Sequence, residues 1–128
     1  MRLLLDTELL LWIARDTEKL SSEARSLIGA EENALFFSIA SLWEIAIKHT
    51  PRRPDFIVDV AVLRRRLLAN DYGELAVEAS HAIAFADLPA MHKDPFDRML
   101  LTQAMCEKLP LVTTDDVLRR YEGPIIRV

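Results

Sequence analysis

The apolar residues of this chain come in short unbroken blocks that each stop at a polar residue, and no other feature restricts its fold so strongly. Leu3-Leu4-Leu5 ends at Asp6-Thr7, Ala34 to Phe37 ends at Ser38, and Leu109 to Thr113 runs into Thr114-Asp115. Blocks this short, without the alternation of a sheet wetted on one side, read as strands covered on both faces, the usual condition of strands in a parallel sheet. Parallel neighbours need long crossover connections, and the stretches between the blocks are long enough to supply them as helices.

Leu9 to Ala14 has helical length, and Ser21 or Ser22 can cap a helix reaching about Ala30. A further helix is predicted from about Ile39 to His49. The stretch His49 to Asp55, with Pro51, Pro54 and two arginines between them, is a break. Ile57, Val60, Ala61, Leu63, Leu67 and Leu68 then recur with helical spacing across Phe56 to Ala69, which Asn70 to Gly73 closes. Glu74 to Val77 reads as a short strand and Glu78 to Phe85 as a short helix. Aspartate followed by proline at Asp94-Pro95 predicts a helix start, with the helix running to about Lys108. Asp116 to Tyr121 fits one or two helical turns, and Ile125 to Val128 a last strand after the Gly123-Pro124 turn. The fold class is therefore α/β in three layers, and 128 residues suit a single domain over 1–128.

A formal net charge of −4 argues against a protein that coats nucleic acid through overall basicity, so any such contact must be local. Basic residues do gather at Lys48 to Arg53, Arg64 to Arg66 and Arg119-Arg120, where solvated helix faces and loops are the better explanation. The lone cysteine, Cys106, cannot form an intrachain disulfide, which suits a reducing compartment. The leucines after Met1-Arg2 are interrupted by Asp6 and Glu8, so they read as a strand rather than a signal peptide. No apolar run approaches the roughly 20 residues of a spanning helix. The expectation is a cytoplasmic protein with no membrane contact.

In open parallel sheets ligands gather beyond the carboxyl ends of the strands, where the strand order reverses. Asp6 directly follows the first strand, and Asp115, with Asp116 beside it, follows Leu111-Val112-Thr113. Glu44 falls within two turns of the end of the Ala34 to Phe37 strand, and Asp97 lies in the first turn of the helix opening at Pro95. Each acid also has an ordinary use. Asp6 and Asp115 fit helix N-caps, and capping is the better explanation of Asp94, which is placed behind the others. Ser41-x-x-Glu44 matches a capping box, and Glu44 can pair with Lys48 one turn on. Against both stands the neighbourhood of Glu44: Leu42, Trp43, Ile45, Ala46 and Ile47 make its helix apolar almost all round, and a buried carboxylate needs a partner. Carboxylates gathered without a cation raise one another's pKa, and a divalent metal reverses that logic. With no cysteine or histidine cluster at zinc spacing, Mg²⁺ or Mn²⁺ is the natural occupant, and such a site can support phosphodiester hydrolysis by an activated water.

Leu4-Leu5-Asp6-Thr7, Ser41-Leu-Trp-Glu-Ile-Ala-Ile-Lys48, His92-Lys-Asp-Pro-Phe-Asp-Arg-Met-Leu100 and Leu111-Val-Thr-Thr-Asp115 together resemble the PIN-domain family, in particular the VapC-like toxins of type II toxin–antitoxin systems. The resemblance spans nearly the whole chain in the right order. It implies a three-layer α/β/α fold with strand order 3-2-1-4-5 and Mg²⁺- or Mn²⁺-dependent endoribonuclease activity. Asp6, Glu44, Asp97 and Asp115 match the family's catalytic metal ligands, direct or through water. Thr113 resembles the family's hydroxyl near the site, Arg98 would contact phosphate or balance the acids, and His92 would tether its loop. Thr7 and Asp116, which flank the matched acids, are candidates to support them or to contact the substrate.

The same resemblance implies an RNA substrate, a small antitoxin partner and a homodimer. Leu10, Leu11 and Trp12 suit a dimer face, although core packing is their simpler use. Two departures bear on substrate preference and antitoxin fit: Glu8 stands where this branch often has histidine, and Thr50 to Asp55 carries Pro-Arg-Arg-Pro where relatives often carry glycine and lysine. His49 and His81 are expected to be structural or exposed, and Trp12 and Trp43 to pack in a core or interface. Two other classes compete. A haloacid-dehalogenase-type phosphotransferase shares a strand followed by Asp6-Thr7-Glu8, but wants a second aspartate at Glu8 and a well-placed lysine. A non-catalytic binding module would use the acids only as helix caps.

Overall fold

The computed structural model describes residues 1–49, 58–90 and 92–128; the Pro-Arg-Arg-Pro loop and the expected helix start at Phe56 lie outside them. β1 (Arg2–Leu5) leads into α1 (Thr7–Arg15), a 3₁₀ turn and α2 (Ser22–Gly29). β2 (Ala34–Ser38) passes directly into α3 (Ile39–Lys48), and α4 (Val60–Ala69) precedes β3 (Gly73–Leu75). α5 (Ala79–Phe85), α6 (Pro95–Glu107), β4 (Leu111–Thr113), a 3₁₀ turn at Leu118–Arg120 and β5 (Ile125–Arg127) complete the order. The five strands form one parallel sheet in the order β3-β2-β1-β4-β5, as the resemblance implied.

Successive side chains of a strand point to opposite faces, so the triple leucine of β1 feeds two cores at once. Leu3 and Leu5 pack with Leu9, Leu10, Phe37, Leu63 and Leu67 on one face. Leu4 packs with Leu100, Leu101, Ala104 and Leu111 on the other. All three leucines are fully buried, which is why the block shows no alternation. Among the described residues no helix is long and apolar enough to cross a membrane.

Several boundaries differ from expectation for local reasons. α4 starts at Val60 because the Asp59 carboxylate accepts the Val62 N–H at 3.1 Å and caps it there. β3 starts at Gly73 and stops at Leu75, since the carbonyl of Ala76 is taken by the Gln103 side chain at 3.2 Å. β4 is shorter than Leu109 to Thr113, because the Leu109 N–H closes the end of α6 on Ala104 and Pro110 has none to offer. α3 does begin at Ile39 as expected, with Ser38 as its cap, the Ser38 hydroxyl accepting the Ala40 N–H at 3.0 Å, so the Ser41-Glu44 capping box that the sequence allowed does not form. Nor is α3 covered all round: Trp43 and Ile47 are exposed, and Trp43 lies edge-on to Phe96 rather than in the core.

Fully buried His81 is structural, as expected: its Nδ1 accepts the Glu78 N–H at 3.0 Å and its Nε2 faces Glu107 Oε1 at 2.9 Å. Gly73 pairs with Phe36 in the sheet, and the Phe36 ring lies over it where a β-carbon would stand. Gly73→Ala should therefore lower stability by about 1–3 kcal/mol, the usual cost of overpacking, as read by urea denaturation. Adding Phe36→Leu should recover part of that loss, and a Gly73→Ala protein as stable as the wild type would contradict the packing.

Candidate active site

β1 and β4 are neighbours at the point where the strand order reverses, so the residues leaving them meet. Asp6 does two jobs there. Its Oδ1 accepts the Leu9 N–H at 2.9 Å and caps α1, while Oδ2 accepts the Thr113 hydroxyl at 2.6 Å and the Thr114 N–H at 3.2 Å. The helix-cap reading of Asp6 is thus correct without excluding a role in the cleft.

Glu44 reaches the same place from α3. It is only 7% exposed, as the apolar surroundings predicted. Thr7 Oγ1 donates to Glu44 Oε1 at 2.7 Å and shares a hydrogen bond with Ser41 Oγ at 2.9 Å, so Ser41 serves the site and not a helix cap. Lys48 Nζ lies 2.6 Å from Glu44 Oε2 and 3.1 Å from Asp94 Oδ2. The Glu44–Lys48 pair, weighed in the sequence as an alternative to a role in the site, exists and extends to Asp94.

The third side is the entry to α6. Asp94 caps this helix, its Oδ1 accepting the N–H groups of Phe96 at 2.8 Å and Asp97 at 3.3 Å. Asp97 stands one turn in, and His92 Nε2 lies 3.3 Å from its Oδ2 and 2.7 Å from Asp115 Oδ2. Asp115 Oδ1 accepts the Val117 N–H at 2.7 Å, so Asp115 also caps a turn as expected.

These groups line one cleft of about 340 Å³ that contains Asp6, Glu44, Asp94, Asp97 and Asp115, with Glu8, Trp12 and Lys48 at its margins. Its electrostatics are uneven. Burial pushes the Asp6 carboxyl up to about 6, outweighing its hydrogen bonds from Thr113, Leu9 and Thr114. Burial, with the charges of Asp94 and Glu44, pushes Asp97 up to about 7 against the pull of His92. Asp94 and Asp115 also feel burial, but hydrogen bonds from Lys48 and His92 respectively, and from backbone N–H groups, hold both below the ordinary aspartate value.

Negative charge at Asp6 and Asp97 is therefore under-compensated by the chain itself, since Lys48 is engaged by Glu44 and Asp94. Hard oxygen donors with uncompensated charge around a cleft fit a divalent cation such as Mg²⁺ or Mn²⁺.

The structure thus brings Asp6, Thr7, Glu44, Asp94, Asp97 and Asp115 to one cleft, with Thr113 behind Asp6. It does not bring Arg98 or Asp116. The Arg98 guanidinium lies 4.6 Å from the Phe85 ring centroid and donates to the Leu88 carbonyl at 3.3 Å, because that face of α6 packs on α5. Asp116 is exposed and pairs with Arg127 at 3.0 Å. Sequence reasoning missed Ser41, although its place three residues before Glu44 puts both on one helix face. It also missed the bond from the backbone of Thr114 to Asp6, for which the sequence offers no signal.

A family model described as PIN domain matches residues 3–124. Three solved structures share the fold. VapBC2 from Rickettsia felis, bound to a DNA fragment from its promoter, superposes with a TM-score of 0.75 at 13% identity, covering 100% of this chain and 99% of that one. FitAcB from Neisseria gonorrhoeae gives 0.67 at 15% identity over 99% and 97% of the two chains. A toxin–antitoxin complex from Klebsiella pneumoniae gives 0.63 at 17% identity over 97% and 95%. No curated protein matches the sequence significantly.

Proposed function

The chain belongs to the PIN domain family, and on that premise we propose that it is a Mg²⁺- or Mn²⁺-dependent endoribonuclease acting as the toxin of a toxin–antitoxin pair. One observation carries the proposal: Asp6, Glu44, Asp97 and Asp115, supplied by separate elements, face a single cleft in which the carboxyls of Asp6 and Asp97 are pushed well above their ordinary value.

In this reading those carboxylates hold the cation, directly or through water. When bound, the cation supplies Lewis acidity toward water and the scissile phosphate. The chain's own residues do the positioning. Thr113 and Thr114 orient the outer oxygen of Asp6, Thr7 aligns Glu44, and Asp94 keeps the entry to α6 beside Lys48. Lys48 is 47% exposed at the cleft margin and offers a cation to an RNA backbone entering there. Arg98, turned onto Phe85, takes no such part.

The antitoxin rests on the likeness to the Klebsiella pneumoniae toxin–antitoxin complex. An apolar groove of about 360 Å³ between α3, α5 and α6, lined by Trp43, Val77, Phe85, Phe96 and Met99, supports protein contacts of this kind, a second copy of the chain included. The expected location is the cytoplasm. Family membership lends nothing to a phosphotransferase of the haloacid-dehalogenase type.

Incubating the purified chain with defined RNAs tests the activity. Cleavage is expected with Mn²⁺ or Mg²⁺ and its loss with chelator. Cleavage that persists in chelator, or intact RNA in both metals, would reject the proposal.

A further inference from the structure

Within the metal site proposed above, on which this inference rests, we infer that His92 is a positioning residue: a hydrogen-bond donor locked in one tautomer, which holds Asp115 beside Asp97 and does not itself ligate the metal. Composition alone suggests the opposite. His92, Asp97 and Asp115 place their potential ligand atoms within 4.8 Å of one another, a nitrogen and two oxygens that could seat a cation.

The other ring nitrogen decides the matter. Nδ1 of His92 accepts the backbone N–H of Asp94 at 3.0 Å. A nitrogen that accepts an N–H carries a lone pair and no proton, so the neutral ring has its proton on Nε2. Nε2 points at the carboxylates: it donates to Asp115 Oδ2 at 2.7 Å, and Asp97 Oδ2 lies 3.3 Å away. A histidine that ligates through Nε2 has the reverse arrangement, with its proton on Nδ1 facing an acceptor. Adopting it would set two N–H groups against each other at Nδ1.

Neither side of that contact is free to turn away. Asp94 is fixed as the cap of α6 and held by Lys48. The backbone N–H of His92 is fixed by the Tyr121 hydroxyl at 2.8 Å. His81 shows the same pattern elsewhere, its Nδ1 accepting the Glu78 N–H while Nε2 faces Glu107. The Glu78, His81 and Glu107 cluster, which also has the composition of a metal site, is by the same logic a staple between α5 and α6.

Donation by His92 leaves the acids usable. Each carboxylate has about four lone-pair positions, so an oxygen that accepts one N–H can still face a cation. With Val117 on the other oxygen of Asp115, the N–H of His92 sets the rotation of that carboxylate and keeps it beside Asp97, whose Oδ2 lies 3.3 Å from the same nitrogen.

The test uses the full chain with Mg²⁺ or Mn²⁺ alone. Imidazole ¹⁵N NMR of the wild type, with the His92 signals assigned by their loss in His92→Gln, should show Nδ1 unprotonated and Nε2 protonated with and without Mg²⁺. Pulsed EPR of the Mn²⁺ form should show no imidazole nitrogen coupling. His92→Ala should weaken Mn²⁺ binding by about 10–100-fold, the usual effect of removing a residue that orients a ligand. His92→Gln, whose amide nitrogen stands where Nε2 does, should recover most of that loss.

Nitrogen coupling, or a proton found on Nδ1 once metal is added, would make His92 a ligand and overturn the inference. So would a His92→Ala protein that binds Mn²⁺ like the wild type, or a His92→Gln protein as weak as His92→Ala. These outcomes leave the carboxylate site standing. A wild type that binds neither ion overturns the site itself, and the role of His92 with it.

Discussion

Asp6→Asn should reduce metal-dependent RNA cleavage by more than about a hundredfold and abolish stabilisation by Mn²⁺, while the chain stays folded. The loss follows from position: Asp6 is 4% exposed at the reversal of strand order, and its Oδ2 is held toward β4 by Thr113 and Thr114. Removing a residue that only orients a metal ligand already costs about 10–100-fold, so removing a central ligand should exceed that. The fold survives because asparagine can cap α1 through the same oxygen that accepts the Leu9 N–H. Without metal the variant should be about as stable as the wild type at pH 8, since relief of the Asp6 charge offsets the cost of turning an amide N–H toward the Thr114 N–H. An ionised Asp6, whose pKa is pushed from 3.8 to about 6, opposes folding there by about 3 kcal/mol. Cleavage assays, Mn²⁺ titration and thermal melts of the two proteins decide it. An Asp6→Asn chain that still cleaves RNA with Mn²⁺ would remove Asp6 from the site.

The backbone plan was legible because burial leaves a plain signature: strands covered on both faces have no polar alternation, and Leu3-Leu4-Leu5 shows none. The acids were legible for a different reason. Chain reversal at a parallel strand's carboxyl end brings the next residue to the sheet's edge whatever the side chain, so Asp6 and Asp115 could be placed from strand ends alone. Arg98 could not. Its neighbour Asp97 faces the cleft, and one step along a helix turns a side chain by about 100°, enough to send Arg98 to Phe85. Which surface waits there depends on how α5 packs on α6. The tautomer of His92 was equally out of reach, since it is set by the backbone N–H of Asp94, and no side-chain pattern encodes where that group points. Capping and cleft roles, which look like alternatives in the sequence, coincide in Asp6 and Asp115 because a carboxylate has two oxygens and each faces a different way.

Burial of Asp6 and Asp97 gives the site a pH dependence opposite to ordinary acid denaturation. The chelated protein should lose stability as pH rises from about 4 to about 7. Asp6 and Asp97 bind protons more tightly in the folded chain, at about 6 and about 7 against 3.8, so their stabilising contribution is full below about pH 4 and lost as pH rises through the folded values. For Asp6 alone the loss is about 3 kcal/mol. Asp94 and Asp115 have lowered values and act in the other direction, but their contribution is present above 3.8 and lost only below it, outside this window. A cation binds the ionised forms, so the gain in stability from millimolar Mn²⁺ should be small at pH 5 and largest at pH 8. Urea denaturation across pH 4–8, with chelator and with Mn²⁺, measures both curves. A chelated profile that is flat from pH 4 to pH 7 would contradict the buried ionisations. A gain from Mn²⁺ equal at pH 5 and pH 8 would place the ion elsewhere, because binding at Asp6 and Asp97 competes with protons that leave near neutrality.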